Sequence, residues 1–207
     1  MSNDRLQMVV IIDPHLKRSQ DYPVYAEASE QKLLVLNKDG GEYEGWCWPG
    51  SSAWVDFFNP ASSKWWAEKF STLPGKAFTW TKSTADIHIW NDMNEPSVFN
   101  GPEISMQRDN VHHGGWEHRD VHNINGMLFT NATYAGVLAR TGGAQRPFVL
   151  TRSFFAGSQR FGAMWTGDNL GTWEHMAVGL KMVLANNIAG MTFSGCCLLY
   201  TSPSPRD

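Results

Sequence analysis

The run Ile87-His-Ile-Trp-Asn-Asp-Met-Asn-Glu-Pro-Ser-Val-Phe99 ends an apolar, β-branched stretch in a cluster of acids and amides. These are Asn91, Asp92, Asn94 and Glu95, and Pro96 then stops the strand. Barrel and doubly wound enzymes place their reactive groups in this way, at the C-terminal ends of buried strands. A second stretch of the same design follows, Ala163-Met-Trp-Thr-Gly-Asp168-Asn169. Two strand-end aspartates on one sheet suggest a carboxylate pair, and a carboxylate pair suggests glycoside cleavage. With retention of configuration, that chemistry needs a nucleophilic carboxylate and an acid/base carboxyl about 5–5.5 Å apart. Asp92 and Asp168 are separated by 76 residues (168 − 92). That leaves room for two βα units, so the two acids are expected on alternate strands facing one barrel mouth. The nucleophile has to be ionised and open to the anomeric carbon. The acid has to hold its proton, which a low-dielectric pocket and a neighbouring carboxylate both favour. Trp165 could supply the apolar wall beside Asp168.

Either aspartate taken singly reads more readily as a helix N-cap or a turn former. Two of them, each in a Trp-containing context, shift the balance to chemistry. Glu95, three residues past Asp92, reads as a buried acceptor that orients the loop. Arg152 follows the apolar stretch Pro147–Thr151. There a guanidinium can hold sugar hydroxyls or balance carboxylates, or simply form a structural ion pair. Arg160, in a loop, is the weaker candidate.

The elements that must position these groups alternate. Met8–Asp13, Ile87–Trp90, Pro147–Thr151, Ala163–Trp165 and Ala189–Ser194 read as strands bounded by Gly, Pro, Asn or Asp. Ser62–Ser71, Ile124–Arg140 and Thr172–Asn186 read as helices, the second ended by Gly142-Gly143 and the third capped by Thr172. Alternation of strand and helix predicts a parallel sheet. Two segments, Lys17–Pro60 and Asn100–Asn123, break the rhythm and read as long irregular loops, which are usually functional.

Composition narrows the class. Hydrophobic content of 42% with 18% charged residues describes a globular chain and excludes a disordered one. A net charge of −3 gives no reason to expect nucleic acid or an anionic membrane surface as a partner. No apolar run is long enough to span a bilayer. Three cysteines make no disulfide framework, and Cys47 reads as a buried thiol. Most of the ten tryptophans must fill the core, leaving a few to serve as flat walls for sugar rings. His112, His113, His118 and His122 invite a metal-site reading, but no helical zincin pattern or cysteine partner accompanies them, and loop packing is expected. Asn131-Ala-Thr133 matches a glycosylation acceptor but falls inside a predicted helix.

Trp90-Asn-Asp-Met-Asn-Glu-Pro-Ser-Val-Phe99 and Trp165-Thr-Gly-Asp-Asn169 resemble the two signatures of glycoside hydrolase family 31. Three further stretches, Lys38–Gly50, Gly114–Asn123 and Phe154–Gly162, resemble the branch of that family that trims glucose from N-linked glycans. The resemblance covers roughly residues 6 to 195. It implies an α/β fold, part of a (β/α)8 TIM barrel incomplete at both ends, and retaining hydrolysis of α-glucosides. It puts Asp92 at the nucleophile position and Asp168 at the acid/base position. Ile11, Trp48, Met93, Arg152 and Trp165 fall where the family lines its pocket for the terminal glucose. It further implies a glucosylated N-glycan as oligosaccharide substrate, a regulatory β subunit in the parent enzyme, the endoplasmic reticulum lumen as location, and no metal or organic cofactor. Residues 196–207, with no periodicity and two Ser-Pro steps, are expected to be a non-native tail, and the chain by itself is not expected to be a competent hydrolase. Two rivals are a maltase-type α-glucosidase of the same family, lysosomal or digestive, and a non-catalytic sugar-binding barrel.

Overall fold

The computed structural model of the chain describes residues 6–70 and 86–197. Ser71 and the tail beyond Cys197 lie outside the described residues. In chain order the elements are β1 (Met8–Ile11), β2 (His15–Lys17), α1 (Pro23–Glu30), β3 (Gly45–Cys47), β4 (Gly50–Trp54), α2 (Pro60–Glu68), β5 (Ile87–Asn91), α3 (His118–Arg140), β6 (Val149–Thr151), β7 (Ala163–Trp165), α4 (Trp173–Ile188) and β8 (Ser194–Gly195). Strands β1, β5, β6, β7 and β8 form one sheet in that order, every neighbouring pair parallel. Sheet order follows chain order, the arrangement of consecutive βα units in a barrel wall.

The register sets the level of every strand end. Ile11 pairs with Trp90, Asn91 with Thr151, and Thr151 with Met164. Extended by two rows from Ile11 and by one row on the other strands, it puts Asp13, Asp92, Arg152 and Trp165 at the same height on adjacent strands. The sheet thus presents its acids and its cation along one rim.

The segment expected to be a long loop, 17–60, is ordered instead. It holds α1, β3 and β4, and the two strands join β2 in the antiparallel sheet β2-β4-β3. Strands of three to five residues joined by a tight turn leave too short an alternation to read. The last expected strand, Ala189–Ser194, is also corrected. Helix α4 runs on to Ile188, and Gly190 (φ 83°) turns the chain as the amides of Gly190 and Met191 close onto Asn187 and Asn186. Only Ser194 of the expected strand pairs. Helix α3 starts six residues earlier than its pattern suggested, at His118, because its first turn is polar and packs by hydrogen bonds rather than apolar contact. Local caps behave as their residue types require. Asn59 accepts the Ala61 amide at 2.9 Å ahead of Pro60, and Thr172 accepts the His175 amide at 3.2 Å.

Helices α2 and α3 pack against each other, and α3 lies against β5 and β6. Trp66 is fully buried among Phe57, Phe70 and Phe129, and its indole N–H donates to Thr133 at 3.0 Å. Losing such a side chain costs about 3–5 kcal/mol. The two helices approach closely at Gly136, where a Cβ would meet the Phe70 ring at 2.6 Å and the Ala67 carbonyl oxygen at 2.8 Å. Trp54, Trp65, Trp66 and Trp165 are buried, as core filling requires, while Trp46, Trp48, Trp116 and Trp173 are exposed. Among the described residues, no helix is long and apolar enough to cross a membrane.

Candidate active site

Asp92 is the first residue past β5. Its Oδ1 accepts the Met93 amide at 2.8 Å, in a turn that gives Met93 a positive φ of 55°. Asn94 is fully buried and fixes this loop to the next strand. Its amide nitrogen donates to the Thr151 hydroxyl at 2.8 Å, and its oxygen accepts the Ser153 amide at 2.9 Å. Arg152, between Thr151 and Ser153, is thereby locked in height against Asp92.

The guanidinium of Arg152 joins the site. Nε and Nη2 donate to the two oxygens of Glu95 at 2.8 and 3.1 Å. Nη1 lies 3.0 Å from Asp92 Oδ1 and 3.6 Å from Asp168 Oδ2. Asp92 and Asp168 therefore share one nitrogen, and their oxygens can be no further apart than the sum of those two distances. That ceiling lies near the about 5–5.5 Å of a retaining pair and at the lower edge of the about 6.5–9.5 Å of an inverting pair. The acids arrive from β5 and β7 with β6 between them, the alternate-strand placement that their spacing predicted.

The electrostatics follow from burial and from this shared cation. Burial raises the Asp92 pKa, Arg152 and the Met93 amide pull it down, Asp168 and Glu95 push it up, and the net shift is upward. Burial alone would disfavour the Arg152 charge, but hydrogen bonding to Glu95 and the charges of Glu95, Asp92 and Asp168 hold its pKa above the ordinary value. The Asp168 side chain is 58% exposed, and the Trp165 ring packs edge-on against Trp90 at 5.3 Å. The expectation of an apolar wall around Asp168 is thus not met in this chain, where Trp165 packs on Trp90 of β5, two strands away.

Of the other residues singled out in the sequence, Met93 is buried with its sulfur 2.9 Å from Arg152 Nη2. Ile11 and Trp48 line a cavity of about 730 Å³ with Asp13 and His15. Trp48 is 71% exposed and stands edge-on to Phe99 at 4.8 Å. Arg160 donates to the Gly157 carbonyl at 3.0 Å and does not join the group. Cys47 is a buried thiol, its pKa pushed up to about 11 by burial. Among the described residues, no cluster of His, Cys, Asp or Glu could hold a metal ion.

One participant was missed. Asp13 ends the β1 run as Asp92 ends β5, which was the available signal. Its carboxyl pKa is raised to about 6, by burial first and then by the charge of Asp92. Its Oδ1 is buried without a hydrogen-bond partner.

Comparison with known proteins places the chain among named relatives. Residues 1–198 match the glycosyl hydrolases family 31 TIM-barrel domain. A protein of Dictyostelium discoideum named neutral alpha-glucosidase AB is 53% identical over 190 residues, which are 91% of this chain and 20% of that protein. A crystal structure of a glucosidase II alpha subunit with alpha3-Glc2 bound superposes with a TM-score of 0.84 at 55% identity, over 92% of this chain and 20% of that one. A glucosidase II heterodimer, of the catalytic subunit and the binding domain of the regulatory subunit, gives a TM-score of 0.85 at 55% identity over the same shares. The chain spans about a fifth of the length of the relatives that it matches.

Proposed function

The chain belongs to glycosyl hydrolase family 31, and from that premise we propose that it carries the catalytic pair of a retaining α-glucosidase. Asp92 is the nucleophile and Asp168 the acid/base. Asp168 protonates the departing glycosidic oxygen while Asp92 attacks the anomeric carbon. A glycosyl ester forms on Asp92 as the bond to the leaving group breaks. Asp168, now a carboxylate, takes a proton from water, and the hydroxide displaces Asp92 to release glucose in its original α configuration. The observation that carries this reading is the Arg152 Nη1 atom within reach of both carboxylates.

The finer reading concerns the whole protein. Its substrate is an N-glycan bearing terminal α-linked glucose, trimmed in the endoplasmic reticulum lumen by an enzyme whose partner is a regulatory β subunit. The names of the glucosidase II relatives support this. The isolated chain is not competent, because five parallel strands leave β1 and β8 as open edges of a sheet that a barrel would close.

In the full-length protein, Asp92→Ala should lower kcat by about 10⁴-fold or more. Proton NMR of the unsubstituted enzyme's first product should show α-glucose. First-formed β-glucose would sink the retaining assignment. A protein that only binds sugar would have no turnover to lose. Comparing α-1,3 with α-1,4 disaccharides separates the glycan-trimming reading from a maltase. Turnover of a chromogenic α-glucoside by the 207-residue chain alone would overturn the claim that it is incompetent.

A further inference from the structure

Beside the loop that follows Asp92 lies a second cavity, of about 690 Å³, lined by Glu95, Ser97, Pro102–Met106, Arg108, His118, Arg119 and His122. Its size falls in the range of small-molecule sites, about 300–1,000 Å³. Two of its lining residues, His118 and His122, are the outer end of a chain of four hydrogen-bonded side chains. Asp56 Oδ1 lies 2.8 Å from His112 Nδ1, His112 Nε2 lies 2.9 Å from His118 Nδ1, and His118 Nε2 lies 2.8 Å from His122 Nδ1. Asp56 also accepts the His113 amide at 2.6 Å. Asp56, His112 and His118 are buried and His122 is half-buried at the cavity end.

A carboxylate only accepts, so His112 Nδ1 carries the hydrogen towards Asp56. Burial keeps His118 and His122 neutral, with the His118 pKa lowered to about 3. Among the described residues His122 Nε2 makes no hydrogen bond, and it is held in place at the cavity wall by the bond from Nδ1 to His118.

The walls say what could meet that nitrogen. Arg108 is paired with Glu103 at 2.7 Å, Arg119 with Glu117 at 2.7 Å, and Glu95 with Arg152. Anion and cation are each met by a group of their own sign. Pro102, Ile104 and Met106 add an aliphatic face, and Ser97 and Ser105 add hydroxyls. The rim is built under strain. Glu103 and Ile104 both have positive φ, and a Cβ on Gly101 would lie 1.7 Å from the Ser105 carbonyl oxygen.

We propose that this cavity is a subsite for a neutral polyhydroxylated ligand, a saccharide, in which a hydroxyl hydrogen-bonds to His122 Nε2. The inference goes beyond the assignment of Asp92 and Asp168. The saccharide is either a remote part of the substrate being cleaved or a separate sugar. The test uses the full-length protein and two variants. His122→Ala removes that nitrogen. Ile104→Trp fills the cavity from its rim and leaves the relay untouched, so it decides the matter if His122→Ala unfolds.

Kinetics with p-nitrophenyl α-glucoside and with an α-glucosylated pentasaccharide are measured beside calorimetric binding of maltotriose to the Asp92→Ala protein. If the saccharide is a remote part of the substrate, KM for the pentasaccharide rises about five- to ten-fold while that for the aryl glucoside stays unchanged. If it is a separate sugar, both KM values stay unchanged and one of two maltotriose sites is lost. An Ile104→Trp protein of unaltered melting temperature that changes neither KM nor the isotherm overturns the proposal. So does a rise in KM common to both substrates. Absence of turnover in the unsubstituted protein would count against the hydrolase reading alone, because the maltotriose isotherm then decides the subsite by itself.

Discussion

Glu95 grips the edge of Arg152 through two parallel hydrogen bonds, at 2.8 and 3.1 Å, and so turns Nη1 towards Asp92 and Asp168. A guanidinium offers five donors in a rigid plane, so fixing two of them fixes the heading of the rest. Glu95 thereby acts on both aspartates without touching either.

Glu95→Gln keeps the shape of that clamp and loses its charge and one acceptor. In the full-length enzyme kcat should fall about 10²-fold, as expected when a reacting group is misplaced by about 1 Å. The melting temperature should change little, since Glu95 is partly exposed. Steady-state kinetics beside a thermal melt decides. Unchanged kcat would remove Glu95 from the positioning of Arg152.

Asp13 should make stability depend on pH. Its folded pKa, about 6, lies above the ordinary 3.8, so the folded state binds this proton more tightly than the unfolded one. That contribution is fully present below the unfolded value and is lost as pH rises through about 6, up to about 3 kcal/mol in all. Asp13→Asn cannot ionise, so it should melt higher than the parent at about pH 7 and lose that advantage near pH 4. Melting curves at the two pH values test this. An equal difference at both would show that ionisation is not the cause.

Asp168→Ala should separate substrates by leaving group. A nitrophenolate departs without protonation and an alcohol does not, so activity on a disaccharide should fall about 10²–10⁴-fold. Activity on a nitrophenyl glucoside should fall much less in its first step. Equal losses on both substrates would remove Asp168 from the acid role.

Gly136→Ala should destabilise the packing of α2 on α3 by about 1–3 kcal/mol, the usual cost of overpacking. The added methyl would have to displace the Phe70 ring and also Ala67 backbone, which cannot swing away. Thermal or denaturant melts compare the variant with its parent, and a neutral result would mean that the helices slide apart freely.

The sequence made the rim of the sheet legible because an apolar run that stops in Asp or Arg leaves a sharp boundary. Asp92, Arg152 and Asp168 were found by that sign, and their meeting at one guanidinium nitrogen followed from register. Asp13 carries the same sign but lacks a tryptophan or amide cluster beside it, so it passed as an ordinary strand end. The three-stranded sheet of β2, β3 and β4 was invisible because its order comes from pairing between distant short strands. The histidines were read as loop packing. His112 lies in a loop, but His118 and His122 are one turn apart on α3, and only the fold brings Asp56 to the end of their line.

Arg152 also fixes the charge balance of the proposed cycle. Before cleavage the negative charge belongs to Asp92 and the proton to Asp168. After the glycosyl ester forms, Asp92 is neutral and the charge has passed to Asp168. One anion is present throughout and merely changes owner. A stationary cation placed between the two can accompany it across the whole turnover with no side chain having to travel, which is what keeps solvent-like rearrangement out of the barrier.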